Sequence, residues 1–254
     1  MSRIRRTDDR GCEVAWSRKR TGPFPGDGVF KGDKVEPAGR VMPACPLCHG
    51  ASANDFCQDQ RRAYFRCQVC ALIFADPATL PSPEEEKARY DKHENSPDDQ
   101  DYRRFLSRLA NPLAERLGNQ PLEGLDFGCG PAPTLSVMLE EMGYSMATYD
   151  PYFARTPSVL GKHYDFVTCT EAIEHFHAPG KEWKLLVDMV KPGGWLGLMT
   201  KLATDAEAFE QWHYRNDLTH VSFFSQKTFR YLAQRDGLEV EFIDDDVILL
   251  RRPA

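Results

Sequence analysis

Four cysteines in two tight pairs are the first residues whose types and spacing could do chemistry. Cys45-x-x-Cys48 and Cys67-x-x-Cys70 are separated by eighteen residues, and two such turns each offer two thiolates to one tetrahedral ion. Four thiolates close the coordination sphere, so the site reads as structural and Zn²⁺ is the ion expected. A redox pair or an iron site is the competing reading. A short segment with few apolar residues needs such a staple in order to fold. Arg61, Arg62 and Arg66 lie on it, but its net charge is zero. A structural or lid role is therefore expected in preference to nucleic-acid reading. Cys12 and Cys57 fall outside the pattern, and Cys129 and Cys169 read as small buried hydrophobes rather than nucleophiles.

A second constellation is built for a ligand with a cationic head. In Leu125-Asp126-Phe127-Gly128-Cys129-Gly130-Pro131, a strand ends in glycines and opens a helix. Glycines let a ligand approach backbone that a Cβ would shield, and a helix start offers unpaired N–H groups to a carboxylate. Asp126 is placed to hold an amine. Asp150 ends the next strand about 20 residues later, where an acid accepts from the hydroxyls of a ribose. A turn without ligand is the bland alternative, but Asp150 at that spacing favours binding.

Further stretches add to this pair. Tyr164 to Cys169 is followed by Thr170-Glu171-Ala172-Ile173-Glu174-His175, then by Pro192-Gly193-Gly194, then by an insert running Trp212-His213-Tyr214-Arg215-Asn216-Asp217 to Thr219-His220-Val221 and Phe224-Ser225. Taken in order, these motifs resemble the class I S-adenosylmethionine-dependent methyltransferases over residues 120–252. The insert resembles a bacterial subgroup similar to the ubiquinone-biosynthesis O-methyltransferases. The resemblance implies that Asp126, Gly128 and Gly130 meet the methionine end of S-adenosylmethionine, and that Asp150 meets its ribose. It also implies that Pro151 and Tyr152 flank the adenine, and that Thr170 and Glu171 lie near the sulfonium and the acceptor. His220 and Glu171 are the expected catalytic residues, with His213 and His175 as alternatives; a histidine that only braces the insert competes with the catalytic reading. Glu174 and His175 fit a cap or a pair on a helix as well as a catalytic role. The chain departs from the family between Asp150 and Tyr164, where thirteen residues replace the usual helix and third strand. No adenine-reading acid is assigned there. Ala132 stands where the family has a third glycine.

These residues need a particular scaffold. Candidate strands at 122–127, 145–149, 164–169, 194–200, 238–243 and 246–251 alternate with candidate helices at 133–142, 180–190, 205–213 and 226–236. Such alternation predicts an α/β, doubly wound, mostly parallel Rossmann-like sheet, here without its third strand, behind a small N-terminal zinc ribbon. Helices are also expected at 84–92 and 101–117, the second with an apolar stripe of Phe105, Leu106, Leu109, Leu113 and Leu117 that Pro112 interrupts. The expected domains are a disordered extension at 1–40, the ribbon at 41–80, a helical linker or cap at 81–120, and the methyltransferase domain at 121–254. The segment from Tyr90 to Asp99 reads as a solvated loop, with a lid over the site as the alternative.

Composition narrows the function classes. The 254 residues carry a net charge of −6, distributed as +4 over 1–40, zero over 41–80 and −10 over 81–254. A body this acidic repels a phosphate backbone, so a small-molecule acceptor is expected rather than nucleic acid. No apolar run reaches the length of a membrane helix and no secretory signal precedes the ribbon, so a reduced, cytoplasmic setting without membrane contact is expected. Two other readings stay open: an RNA methyltransferase that uses the ribbon as a reader, and a non-catalytic scaffold that only binds the cofactor.

Overall fold

In the computed structural model, residues 42–92 and 96–254 are described; the extension at 1–40 lies outside them. The cysteine module is a meander of β1 (Ala53–Gln58), β2 (Ala63–Cys67) and β3 (Ile73–Ala75). The next helix, α1 (Pro83–Tyr90), starts at a capping box in which Ser82 and Glu85 satisfy each other's backbone N–H groups. Then come α2 (Gln100–Leu117), β4 (Glu123–Phe127), α3 (Thr134–Glu141), β5 (Ser145–Tyr149), β6 (Tyr164–Thr170), α4 (Pro179–Met189) and β7 (Val190–Met199). The chain finishes with α5 (Ala206–Glu210), β8 (Ser222–Phe223), α6 (Gln226–Asp236), β9 (Glu239–Phe242) and β10 (Val247–Arg251). Pro112 sits inside α2, which continues through it. Among the described residues, no helix is long and apolar enough to cross a membrane.

The main sheet has the order β5-β4-β6-β7-β10-β9. Its first four strands are parallel, and β10 runs antiparallel to both β7 and β9. Successive strand residues face opposite layers. Val167 and Leu250 pack with Trp183 and Leu186 of α4 and with Phe229 of α6, whereas Phe166 and Leu249 pack with Leu106 and Leu109 of α2 and with Leu139 of α3. The sheet is thus covered on both faces, and the inner strands β6 and β10 are buried at almost every position, whereas the edge strands β5 and β9 are not. The short stretch after Asp150 holds a bridge between Asp150 and Ala154 and a 3₁₀ turn at Pro157–Gly161, and no strand. The sheet therefore ends at β5, as the thirteen-residue gap requires.

Two elements escape the periodicity. One is β1, which alternates poorly because only Ala53 is fully buried. The other is β8, two residues long, which pairs with β3 and so carries the 212–224 insert into the sheet of the cysteine module. The helix expected at 205–213 is the five-residue α5, followed by a 3₁₀ turn at His213–Asn216.

Candidate active site

The glycine loop joins β4 to α3 at the C-terminal edge of the parallel strands, where open α/β sheets bind ligands. Gly128 and Gly130 have φ of 76° and 65°, a left-handed backbone that suits glycine. A Cβ on Gly128 would stand 2.6 Å from that of Ala172, so a larger residue cannot fit without moving the loop after β6. Asp150 ties this loop to its own: Oδ2 accepts from the Gly130 N–H at 3.0 Å, and Oδ1 accepts from the N–H groups of Tyr152 and Phe153 at 2.8 and 3.1 Å.

A cavity of about 740 Å³ opens above these loops, and its wall includes Gly128, Gly130, Asp150, Pro151, Tyr152 and Glu171. Two expected contacts are placed differently. Asp126 is 2% exposed and lies under the loop, accepting from Thr168 Oγ1 at 2.8 Å and Ser136 Oγ at 3.2 Å. Burial pushes its carboxyl up to about 6, against the hydrogen bonds from Thr168 and Ser136. Thr170 ends β6 next to the wall without forming part of it. The expectation that Asp150 accepts from both ribose hydroxyls meets a limit. A carboxylate has about four lone-pair sites, and three are occupied by backbone N–H groups, so one remains.

Glu171 follows β6 with φ of 47° and donates its own N–H to Met199 O at 2.7 Å. A non-glycine residue held in this region marks a backbone set by its surroundings. Burial first, and then the charge of Glu174, push its carboxyl up to about 8. Glu174 is 1% exposed and accepts from Thr200 Oγ1 at 3.0 Å and from the Tyr214 hydroxyl; burial raises it too.

The histidines sort differently from the sequence expectation. His175 lines the cavity, and its Nδ1 lies 3.0 Å from Thr219 O. His220 does not lie on the wall: it stands behind His175, with ring centroids 4.7 Å apart, and its Nδ1 is 2.6 Å from Tyr214 O. Burial pulls its pKa down to about 4, helped by His175. A direct proton transfer between His220 and an acceptor in the cavity is therefore not available. His213 pairs with Lys201 Nζ at 3.3 Å, also off the wall. The insert's aromatic rings are spent elsewhere as well. Tyr214, Phe223 and Trp212 cluster with Tyr64 and Ile73 of the cysteine module, and Phe224 stacks on Phe229 in the main core. The mixture of rings and polar heads in the insert thus holds the cysteine module to the sheet instead of lining a substrate wall.

A helical linker or cap is expected at 81–120, but Glu86 is not among the expected site residues. Glu86 and Tyr90 of α1 lie on the cavity wall. Glu86, 7% exposed, accepts from the Tyr152 hydroxyl at 2.7 Å and pairs with His177 Nε2 at 2.8 Å. Burial opposes its ionisation, but the bonds from His177 and Tyr152 outweigh that and hold the carboxyl below its usual range. Tyr90 packs 5.5 Å from Tyr152 and 5.2 Å from His175. The signal was there: the capping box fixes the helix, and an i, i+4 spacing puts Glu86 and Tyr90 on one face.

The four paired cysteines come together at one point. Cys45 Sγ is 3.5 Å from Cys70 Sγ, Cys48 Sγ is 3.5 Å from Cys67 Sγ, and all four sulfurs lie within 4.8 Å of one another. Tetrahedral Zn–S bonds of about 2.3 Å place sulfurs roughly 3.8 Å apart, so this donor set fits a zinc ion. The module is clamped at both ends. A Cβ on Gly180, at the start of α4, would stand 2.5 Å from Leu47 O. Arg62, 4% exposed, donates to the carbonyls of Leu218 at 2.8 Å and His220 at 2.6 Å.

A family model described as a methyltransferase domain matches residues 98–242, more than half of the chain. The protein belongs to that methyltransferase family. It is an enzyme of the S-adenosylmethionine-dependent class with a Rossmann-like fold. Solved methyltransferases are similar to it at low identity. The 1,6-didemethyltoxoflavin-N1-methyltransferase of Burkholderia thailandensis, solved with 1,6-didemethyltoxoflavin and S-adenosylhomocysteine bound, is 16% identical, with 77% of this chain and 97% of that one covered and a TM-score of 0.47. The magnesium protoporphyrin IX methyltransferase of Synechocystis, solved with S-adenosylhomocysteine, is 13% identical, with 66% and 94% covered and a TM-score of 0.45.

Proposed function

We propose that this methyltransferase binds S-adenosylmethionine and a small organic acceptor side by side in the cavity above β4, β5 and β6. The observation that carries the reading is the shared wall of Gly128, Gly130, Asp150, Tyr152 and Glu171. In this reading the glycine loop admits the methionine end, Asp150 accepts from the ribose, and Pro151 and Tyr152 flank the adenine. Asp126 holds the loop from beneath, and Thr170 and Glu171 lie toward the sulfonium. When bound, the cofactor supplies an activated methyl group on a sulfonium that departs as a neutral thioether. The chain's own task is alignment at near-attack distance and acceptance of a proton where the acceptor is O–H or N–H. His175 and Glu171 are the groups on the wall suited to that task, with His220 bracing His175 from behind.

The cavity volume of about 740 Å³ suits a cofactor with a small partner, and the charge of −10 over residues 81–254 disfavours RNA. The insert's resemblance to the ubiquinone-biosynthesis O-methyltransferases favours a hydroxyl acceptor. Residues 41–80 form a zinc-stabilised module held by Cys45, Cys48, Cys67 and Cys70; residues 81–120 cap the cavity, and 121–254 make the catalytic domain. A reduced cytoplasmic setting suits the thiolates. Calorimetric titration with S-adenosylhomocysteine, followed by transfer of label from S-adenosylmethionine to a panel of small hydroxyl compounds and to RNA, tests this. Saturable binding with label on a small hydroxyl compound is expected. No binding, or label on RNA alone, overturns the reading.

A further inference from the structure

The segment between Asp150 and β6 has no side chain that could accept from an adenine's amino group as an anion. Residues 151–163 contain neither Asp nor Glu. The exocyclic amino group of an adenine donates, and an ionised carboxylate only accepts, so an acid on the cavity wall is the matching partner. Five acids lie there: Glu86, Asp150, Glu171, Glu182 and Asp188. Asp150 and Glu171 belong to the ribose and the sulfonium in the reading above. Asp188 is exposed and paired with Lys184 Nζ. Glu86 and Glu182 remain.

Glu86 is built into the wall beside the ring assigned to the adenine. It is 7% exposed. The Tyr152 hydroxyl donates to Oε2 at 2.7 Å, and His177 Nε2 lies 2.8 Å from Oε1. Each oxygen thus has one partner, and of about four lone-pair sites two remain. Burial raises the carboxyl, but the bonds from His177 and Tyr152 outweigh that and keep it below its usual range. The hydroxyl is the far end of the Tyr152 ring, so a flat base laid against that ring brings its edge within reach of the carboxylate. Glu182 is the rival, since its Oε2 has no partner among the described residues. Burial raises its carboxyl, which disfavours the anion that accepts.

We propose that Glu86 reads the adenine by accepting a hydrogen bond from its exocyclic amino group. The acceptor then comes from α1, which precedes the residues 98–242 matched by the methyltransferase model, and not from the segment after Asp150. α1 is held over that segment at three successive contacts. Glu86 bonds Tyr152, Lys87 Nζ stands 5.4 Å from the centre of the Phe153 ring, and Tyr90 packs 5.5 Å from Tyr152. The inference deepens the cofactor reading of this cavity and rests on it for the place of the adenine beside Tyr152.

Calorimetry on the full-length protein tests this with two ligands: S-adenosylhomocysteine, and its analogue with hydrogen in place of the 6-amino group. Wild type should prefer S-adenosylhomocysteine by roughly 10- to 150-fold, the worth of one hydrogen bond to a charged group. In Glu86→Ala that preference should vanish. In Glu86→Gln, which keeps an acceptor oxygen without the charge, it should fall to roughly 2- to 12-fold. A Glu86 that only braces Tyr152 would weaken both ligands alike and leave their ratio unchanged. Glu182→Ala should keep the wild-type ratio. An unchanged ratio in Glu86→Ala, or a ratio that collapses in Glu182→Ala instead, overturns the proposal and leaves the cofactor reading standing. Wild type that binds neither ligand overturns both.

Discussion

Asp150→Ala distinguishes a residue that carries the cofactor from one that only shapes a loop. The carboxylate already accepts from the N–H groups of Gly130, Tyr152 and Phe153, which leaves one of about four lone-pair sites for a ribose hydroxyl. A hydrogen bond to a charged group contributes about 1.5–3 kcal/mol. At about 1.4 kcal/mol per factor of ten, losing one such bond weakens S-adenosylhomocysteine roughly 10- to 150-fold. Two ribose bonds would instead give roughly 10²- to 10⁴-fold by the same conversion. Isothermal titration calorimetry on wild type and Asp150→Ala separates these ranges, with a thermal melt to confirm that the variant is folded. A loss near 10³-fold would mean that the backbone bonds to Asp150 rearrange on binding. An affinity within threefold of wild type would refute the placement of the ribose.

Three other perturbations test the scaffold around the site. Asp126 has a folded pKa raised from 3.8 to about 6, so in this range the native state binds more protons than the unfolded one, and the contribution to stability falls as pH rises from about 4 through 6. At roughly 1.4 kcal/mol per pH unit, Asp126→Asn should gain about 3 kcal/mol relative to wild type across that window in cofactor-free urea melts; a pH-independent difference would refute this. Arg62→Met leaves the carbonyls of Leu218 and His220 without their cation and should lower stability by roughly 3 kcal/mol, with less than 1 kcal/mol showing that the strut carries no load. Removing zinc with a strong chelator should unfold the cysteine module and, through β8, loosen the insert, so amide exchange should rise at 212–224 as well as at 45–75; protection unchanged at 212–224 would show that the two are uncoupled.

Local chemistry was legible along the chain because it is written in short windows. The paired cysteines mark a metal knuckle wherever two such turns can meet. The glycine loop and Asp150 declare a ligand edge, since few other residues tolerate that backbone or supply that acceptor. Alternating apolar runs predict a doubly wound sheet, and the thirteen residues after Asp150 leave no room for its third strand. What only the tertiary structure decided involves residues far apart in sequence. Glu86 and Tyr90 look like solvated helix positions until α1 is laid over Tyr152 and His175. The rings of the insert name no partner of their own until β8 pairs with β3 and buries them. His220 looks like a base until Tyr214 O and His175 fix it behind the wall. Periodicity shows that a face is apolar or a residue titratable, but which partner covers that face depends on closing loops of 66 residues between Glu86 and Tyr152 and 150 between Ile73 and Phe223. That choice is made by packing and by backbone groups that must find partners, such as the carbonyls held by Arg62.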